Sequence, residues 1–152
     1  MEKELLKSTI AAWLPESVMD ESGEFLSVEV DAGHLHGLAS HLRYEKTLDF
    51  NYLFCLTCID WKTHLTMVYH LTSTQYRHTV VLKSKLDPKS PAIQTVSDIW
   101  QTANFHEREV YEMFGVNFIN HPDLRLLILP DGWEGKNPLR KDFEDPVNMI
   151  RL

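Results

Sequence analysis

The stretch FNYLFCLTCIDWKTHLTMVYHLTSTQYRHTVVL, residues 50–82, decides the fold class. It divides into three runs rich in aromatic and β-branched residues: Phe50 to Trp61, His64 to Thr72 and Gln75 to Leu82. Only Lys62-Thr63 and Ser73-Thr74 separate them. Connections that short join strands as hairpins, so three antiparallel neighbours are expected. Cys55 and Cys58 lie inside the first run. A C-x-x-C can mark a redox pair or half of a zinc site. On a strand, however, positions three apart face opposite ways, and no second ligand pair completes the set that a structural zinc needs. Two small core thiols are the expectation.

Upstream, Leu6, Ile10, Trp13 and Leu14 share one helical face, and Pro15 ends that segment. Phe25 to Asp31 then alternates, with Leu26, Val28 and Val30 on the apolar side, as a half-buried strand does. From His34 to Tyr44 the spacing returns to helical, with Leu35, Leu38, Ala39 and Leu42 in one stripe. Downstream, Asp87-Pro88-Lys89-Ser90-Pro91 is the sharpest break, and Ser90 before Pro91 suits the start of a helix burying Ile93, Val96, Trp100 and Ala103. Asn104 with Glu107 resembles a capping box for another helix, which carries Val110, Met113 and Phe114 inward and stops at Gly115. Val116 to Phe118 and Leu124 to Leu129 are short extended candidates. The whole is an α+β fold in two layers, helices on a largely antiparallel sheet, with an irregular C-terminal docking loop. Residues 1–130 are expected to form the single domain and 131–152 an extended C-terminal segment whose composition suits docking on another protein.

Composition excludes several functions. With 152 residues and 43% hydrophobic content, one core suffices without staples. The longest apolar runs are about five residues, against the roughly 20 that cross a bilayer. A net charge of −7 with no basic stripe argues against nucleic acid. No G-x-G-x-x-G or P-loop is present to hold a nucleotide's phosphates. The scattered histidines share no metal-ligand spacing, so no metal is expected. The first residues suit neither a secretory signal nor a transit peptide, which points to a cytosolic chain.

Two charged patches remain. In FHEREVYEMFG, residues 105–115, Arg108 and Glu112 stand one helical turn apart and can pair, while Glu109 and Glu112 lie three apart on one side. The patch suits a solvated face, a docking face, or a carboxylate pair assisted by His106. The second patch begins at His121-Pro122-Asp123-Leu124-Arg125 and resumes in DGWEGKNPLRKDF, residues 131–143. It combines Trp133, Arg125 and Arg140 with turn formers and little core of its own. Such side chains are enriched where proteins meet proteins, although Trp133 folded back onto the sheet is the plainer alternative.

In this order the two patches resemble the signature region of the 30-kDa (C) subunit family of respiratory complex I, the NADH:quinone oxidoreductase. Glu107-Arg108-Glu109, an acid at 112, Met113-Phe114-Gly115, Phe118, His121-Pro122-Asp123-Leu124-Arg125, Leu129-Pro130, Trp133-Glu134-Gly135 and Pro138-Leu139-Arg140-Lys141-Asp142-Phe143 follow the family pattern over 37 residues. Glu112 stands where Asp is common and Leu126 where a second Arg is usual. Lys136-Asn137 replaces one residue, often His, lengthening that turn.

The resemblance implies a structural subunit of the peripheral arm of a proton-translocating NADH:quinone oxidoreductase, packed on the 49-kDa (D) subunit near the quinone site. The activity would belong to the complex, with no catalytic, cofactor or metal residue on this chain; FMN, iron-sulfur clusters and quinone would sit in its neighbours. The expected place is the cytoplasmic side of the bacterial inner membrane, with membrane association only through the complex. Glu107, Arg108, Glu109 and Glu112 on the helix, His121, Asp123 and Arg125 in the turn, and Trp133, Arg140, Lys141, Asp142 and Phe143 in the loop are the expected docking residues. Arg125 and Arg140 are the best suited to partner carboxylates. Since the chain runs only nine residues past Phe143, a separate polypeptide is expected. A related membrane-bound hydrogenase or ferredoxin-linked complex is the nearest alternative. A free-standing acid-base enzyme using Glu109, Glu112 and His121, or an adaptor domain, is the alternative of another class.

Overall fold

A computed structural model describes residues 3–145 and Val147. The helix α1 (Lys3–Trp13) is followed by the strands β1 (Val18–Asp20) and β2 (Leu26–Glu29) and the helix α2 (Ala32–Tyr44). Next come three long strands, β3 (Tyr52–Asp60), β4 (Leu65–Thr72) and β5 (Thr79–Leu86), then β6 (Ala92–Gln94), α3 (Ala103–Phe114) and β7 (Asn117–Ile119). A five-stranded sheet has the order β1-β2-β5-β4-β3, antiparallel except where β2 runs parallel to β5. The α+β architecture is therefore the expected one. β6 and β7 form a small parallel sheet beside it.

One face of the large sheet contributes Leu26, Val28, Leu56, Tyr69, Leu71, Val80 and Leu82 to a single core. Leu6 and Ile10 of α1 and Leu35, Leu38, Ala39 and Leu42 of α2 cover it, the stripes that the spacing marked. The opposite face leaves Ile59 and Trp61 exposed, while Thr66, Val68 and Val81 nearer its centre are buried. A register shift between Leu53 and Cys55 turns Cys55 partly outward and Cys58 inward; only Cys58 is the buried thiol expected. Burial pushes that thiol up to about 12, which keeps it protonated.

Four expectations about local structure change. The turn after β4 spans residues 73–78, because the side chains there close it: Ser73 accepts from Tyr76 N–H, and Asn51 accepts from Thr74 N–H. The strand runs on to Leu86, where Ser84 had hidden the alternation; its buried hydroxyl donates to Val30 C=O at 2.7 Å. No helix starts at Pro91. Ile93 instead pairs with Phe118 between β6 and β7, and a tight turn from Val96 to Trp100 buries the remaining apolar positions. Residues 124–129 form no strand. Of the C-terminal segment, residues 146 and 148–152 lie outside the described region.

Candidate docking site

The helix α3 ends as its sequence requires: Gly115 takes the left-handed conformation at φ 79° and its N–H caps Tyr111 C=O. Its beginning differs from the capping box. Thr102 occupies the N-cap without a side-chain capping bond, its hydroxyl donating to Leu53 C=O instead, and Glu107 points into the core. Glu107 Oε1 accepts from Thr95 Oγ1–H at 2.8 Å and from Val96 N–H at 3.2 Å, which ties α3 to the turn that follows β6. Its second oxygen has no protein partner. Burial pushes its carboxyl up to about 7.

Arg108 and Glu112 are also buried, at 6% and 1% exposure, and they do not pair with each other. Both bond to the backbone of the segment that failed to become a strand. Glu112 accepts the N–H groups of Leu127 and Ile128 at 2.9 Å and of Leu129 at 3.1 Å. Arg108 donates to Arg125 C=O at 3.1 Å and Leu126 C=O at 2.7 Å, with its guanidinium 5.7 Å from the Phe105 ring centre. Five consecutive residues thus receive from two side chains the bonds that a neighbouring strand normally supplies. Charge-assisted bonds of this kind contribute about 1.5–3 kcal/mol each, enough to hold a loop that has no ladder. Pinned this way, the segment presents Leu127 and Ile128 to solvent, at 38% and 64% exposure.

The turn before it is held locally. His121 Nε2 donates to Asn104 C=O at 3.1 Å and Nδ1 accepts Asp123 N–H at 3.0 Å, a consistent neutral tautomer. Arg125 Nε bonds both oxygens of Asp123, and that bond lowers the Asp123 carboxyl below its ordinary range. Glu109 is exposed while Glu112 is enclosed by amides, so the structure does not bring them together as an acid-base pair. Among the described residues no His, Cys, Asp and Glu group has the arrangement of a metal site.

The C-terminal loop returns to the end of α3. Leu139 N–H caps Met113 C=O, Arg140 Nε–H donates to Phe114 C=O at 2.7 Å, and a terminal guanidinium nitrogen donates to Pro88 C=O at 2.8 Å. The carbonyls of Tyr111, Met113 and Phe114 at the end of α3 are thus satisfied, and a cation sits at the negative end of the helix dipole. Arg140 therefore bonds its own chain rather than standing free for a partner. The backbone of Lys141 donates to Asp60 Oδ2 at 2.9 Å, and that bond is the main cause that lowers the Asp60 carboxyl. Asn137, in the lengthened turn, lies against Gly115; a Cβ there would meet its Nδ2 at 2.6 Å. Trp133 does not fold onto the sheet. Its ring lies 6.3 Å from that of Phe143, with Lys136 Nζ 4.5 Å from its centre. Together with Arg140, Asp142 and Pro88 these rings line an open basin of about 540 Å³.

Sequence reasoning thus located α3 and the loop after it but missed Thr95, Asp60 and the pair Leu127 and Ile128. One signal was available: alternation places Asp60 on the inward side of its strand with Leu56 and Cys58, where a carboxylate needs a donor. The backbone partners of Arg108 and Glu112 left no mark in residue spacing.

Comparison with known proteins identifies the family. The model of the respiratory-chain NADH dehydrogenase 30-kDa subunit family matches residues 28–147. The chain is 42% identical over 127 residues to the C/D subunit of NADH-quinone oxidoreductase from Phocaeicola vulgatus, covering 82% of this chain but 24% of that longer protein. It is 37% identical to the C subunit of the same enzyme from Roseiflexus sp. strain RS-1, over 88% of this chain and 79% of the relative. The C subunit of F(420)H(2) dehydrogenase from Methanosarcina mazei is 32% identical over 95% and 93% of the two chains. Among solved structures, a trypsin-resistant fragment of Nqo5 superposes with a TM-score of 0.68 at 26% identity, over 79% of this chain and 98% of the fragment. A chain of an archaeal respiratory complex, the membrane-bound sulfane sulfur reductase, superposes with a TM-score of 0.77 at 28% identity, over 93% and 85%.

Proposed function

Since the chain belongs to the 30-kDa subunit family of respiratory-chain NADH dehydrogenases, we propose that it is a structural subunit of a quinone-reducing respiratory complex, docked on that complex's 49-kDa (D) subunit. The observation that carries this reading is the pinned segment from Arg125 to Leu129. Two buried charged side chains fix a loop whose apolar residues face outward, and an exposed apolar feature held rigid suits a partner's surface. The C/D relative supports the choice of partner, because its name joins a C-type and a D-type part in one protein. On this reading the chain carries no FMN, cluster or quinone; its neighbours in the peripheral arm supply them. No helix among the described residues is long and apolar enough to cross a membrane, so contact with the bilayer would come through the complex, on its cytoplasmic side.

Co-expression with a tagged D subunit tests this. Mild-detergent capture followed by mass spectrometry should return this chain within a large membrane complex, and Trp133→Ala with Ile128→Asp should remove it from that complex on a native gel. Capture of the chain as a lone active monomer, or with unrelated proteins, would reject the proposal. A second reading concerns the electron donor. The F(420)H(2) dehydrogenase relative covers both chains almost end to end, so a donor other than NADH is a real alternative. NADH oxidation by the captured complex, measured beside oxidation of reduced F420, separates the two.

A further inference from the structure

Although the chain has a net charge of −7, one groove reverses the sign. It is a concavity of about 380 Å³ where Lys62, Lys89, Arg140 and Lys141 face only two carboxylates, Asp60 and Asp142. Three separate parts of the chain build it: the turn between β3 and β4, the turn after β5, and the C-terminal loop. In each the backbone is fixed while the ammonium is left over. Lys62 has a φ of 72° and its N–H bonds Asp60 Oδ1 at 2.7 Å. Lys89 N–H bonds Asp87 Oδ1 at 2.9 Å, and Lys141 N–H bonds Asp60 Oδ2 at 2.9 Å. Among the described residues, the ammonium groups of Lys62, Lys89 and Lys141 enter no ion pair.

The two carboxylates in the lining offset half of its four positive charges and leave an excess of cations. Asp60 is only 8% exposed and its two oxygens each hold a backbone N–H, so it works as the floor of the groove. Arg140 bonds two carbonyls, which orient it without neutralising it. Asp142 is the one exposed acid in the lining. The groove also shares Pro88, Arg140 and Asp142 with the basin that holds Trp133 and Phe143, so the basic and aromatic surfaces are continuous.

Resting on the reading above, we propose that this groove binds an acidic segment of the D subunit, with two or more Asp or Glu side chains set against Lys62, Lys89 and Lys141. Charge complementarity selects the occupant. The groove is concave, whereas a lipid surface is flat, and the strongly acidic remainder of the chain repels an anionic bilayer. The anchored backbones keep the three ammonium groups in register, and lysine rather than arginine suits carboxylates met singly.

The test uses the co-expressed complex and a Lys62→Glu/Lys89→Glu variant. Neither residue belongs to the buried clamp, and circular dichroism of the variant checks its fold. The expected result is that D capture falls roughly tenfold or more in the double variant. Wild-type capture should fall as NaCl rises, and Lys62→Arg/Lys89→Arg should retain it. Wild-type capture with an unchanged double variant overturns the groove alone and leaves the proposed function standing. No wild-type capture of D overturns both. Loss of binding to vesicles rich in anionic phospholipid, with D capture intact, also overturns the groove and assigns it to a membrane surface.

Discussion

The sheet half of the molecule, residues 52–86, and the half centred on α3, residues 103–141, satisfy their backbones by opposite means. In the first, β3, β4 and β5 pair along their lengths, and the inward side chains are almost wholly apolar. In the second, the backbone outside α3 and β7 is bonded largely by side chains: Glu112 and Arg108 hold residues 125–129, Arg140 caps Phe114, and Asp60 holds Lys141. A ladder distributes its bonds over many residues, so losing one side chain removes packing alone. A clamp concentrates several bonds in one carboxylate. Because its partners are backbone groups, no second substitution can remove them, and every loss leaves part-buried groups without their protein partner.

The largest effect should therefore follow Glu112→Leu, which keeps size but abandons three N–H groups. A loss of about 3–5 kcal/mol is expected, from the charge-assisted bonds given up by three part-buried amides. Leu71→Ala in the sheet should cost about 2–5 kcal/mol through its cavity. Urea unfolding gives both totals, and amide exchange tells the mechanisms apart. The Leu127, Ile128 and Leu129 amides should lose protection first in Glu112→Leu, while β4 and β5 stay protected. Equal protection across both halves would break the contrast. Next in size is Arg140→Ala, expected to cost about 1.5–3 kcal/mol through Phe114 and Pro88 carbonyls. Arg140→Lys should restore only part of it, since one ammonium cannot reach in two fixed directions.

Glu107 separates the halves by pH. Its carboxyl is raised from an ordinary value of 4.5 to about 7, chiefly by burial in the core, with Asp98 adding repulsion and the bonds from Thr95 and Val96 opposing the shift. Below pH 4.5 it is protonated both folded and unfolded; between 4.5 and 7 only the folded form keeps the proton. Stability from this group is thus complete at the acid end, declines as pH rises through that window, and then levels off. Glu107→Gln should flatten that part of the curve of unfolding free energy against pH. A parallel displacement of the whole curve, with its slope intact, would place the titration elsewhere.

The same contrast explains how much was legible beforehand. Alternation and helical spacing mark residues whose surroundings are apolar, and they located α1, α2, β3 and the stripes Leu35, Leu38, Ala39 and Leu42. They failed where polar atoms direct the chain: at residues 73–78, closed by Ser73 and Asn51, and at Ile93, whose partner Phe118 lies 25 residues away. Spacing also cannot distinguish a charge facing water from one facing a buried amide. Glu107, Arg108 and Glu112 therefore resembled a charged surface, yet they have almost no surface to offer a partner. Glu109, His121, Asp123, Arg125, Trp133, Arg140, Lys141, Asp142 and Phe143 keep surface of their own, and they remain the expected docking residues that the proposed assembly experiment can reach.

The smallest effect on stability should come from the residues that the clamp presents. Ile128 is 64% exposed, so Ile128→Asp removes little buried area and should change the unfolding free energy by no more than about 0.5 kcal/mol. Its main-chain N–H still bonds Glu112, so the loop should keep its shape and its slow amide exchange. On D capture the result should be the reverse, because a carboxylate placed in an apolar contact must give up its water without a partner. Glu112→Leu should also weaken capture, but only together with lost protection of residues 127–129. If Ile128→Asp instead destabilises the isolated chain as much as Glu112→Leu does, Ile128 is packed within the domain, and the division between a clamp that holds and a surface that binds fails.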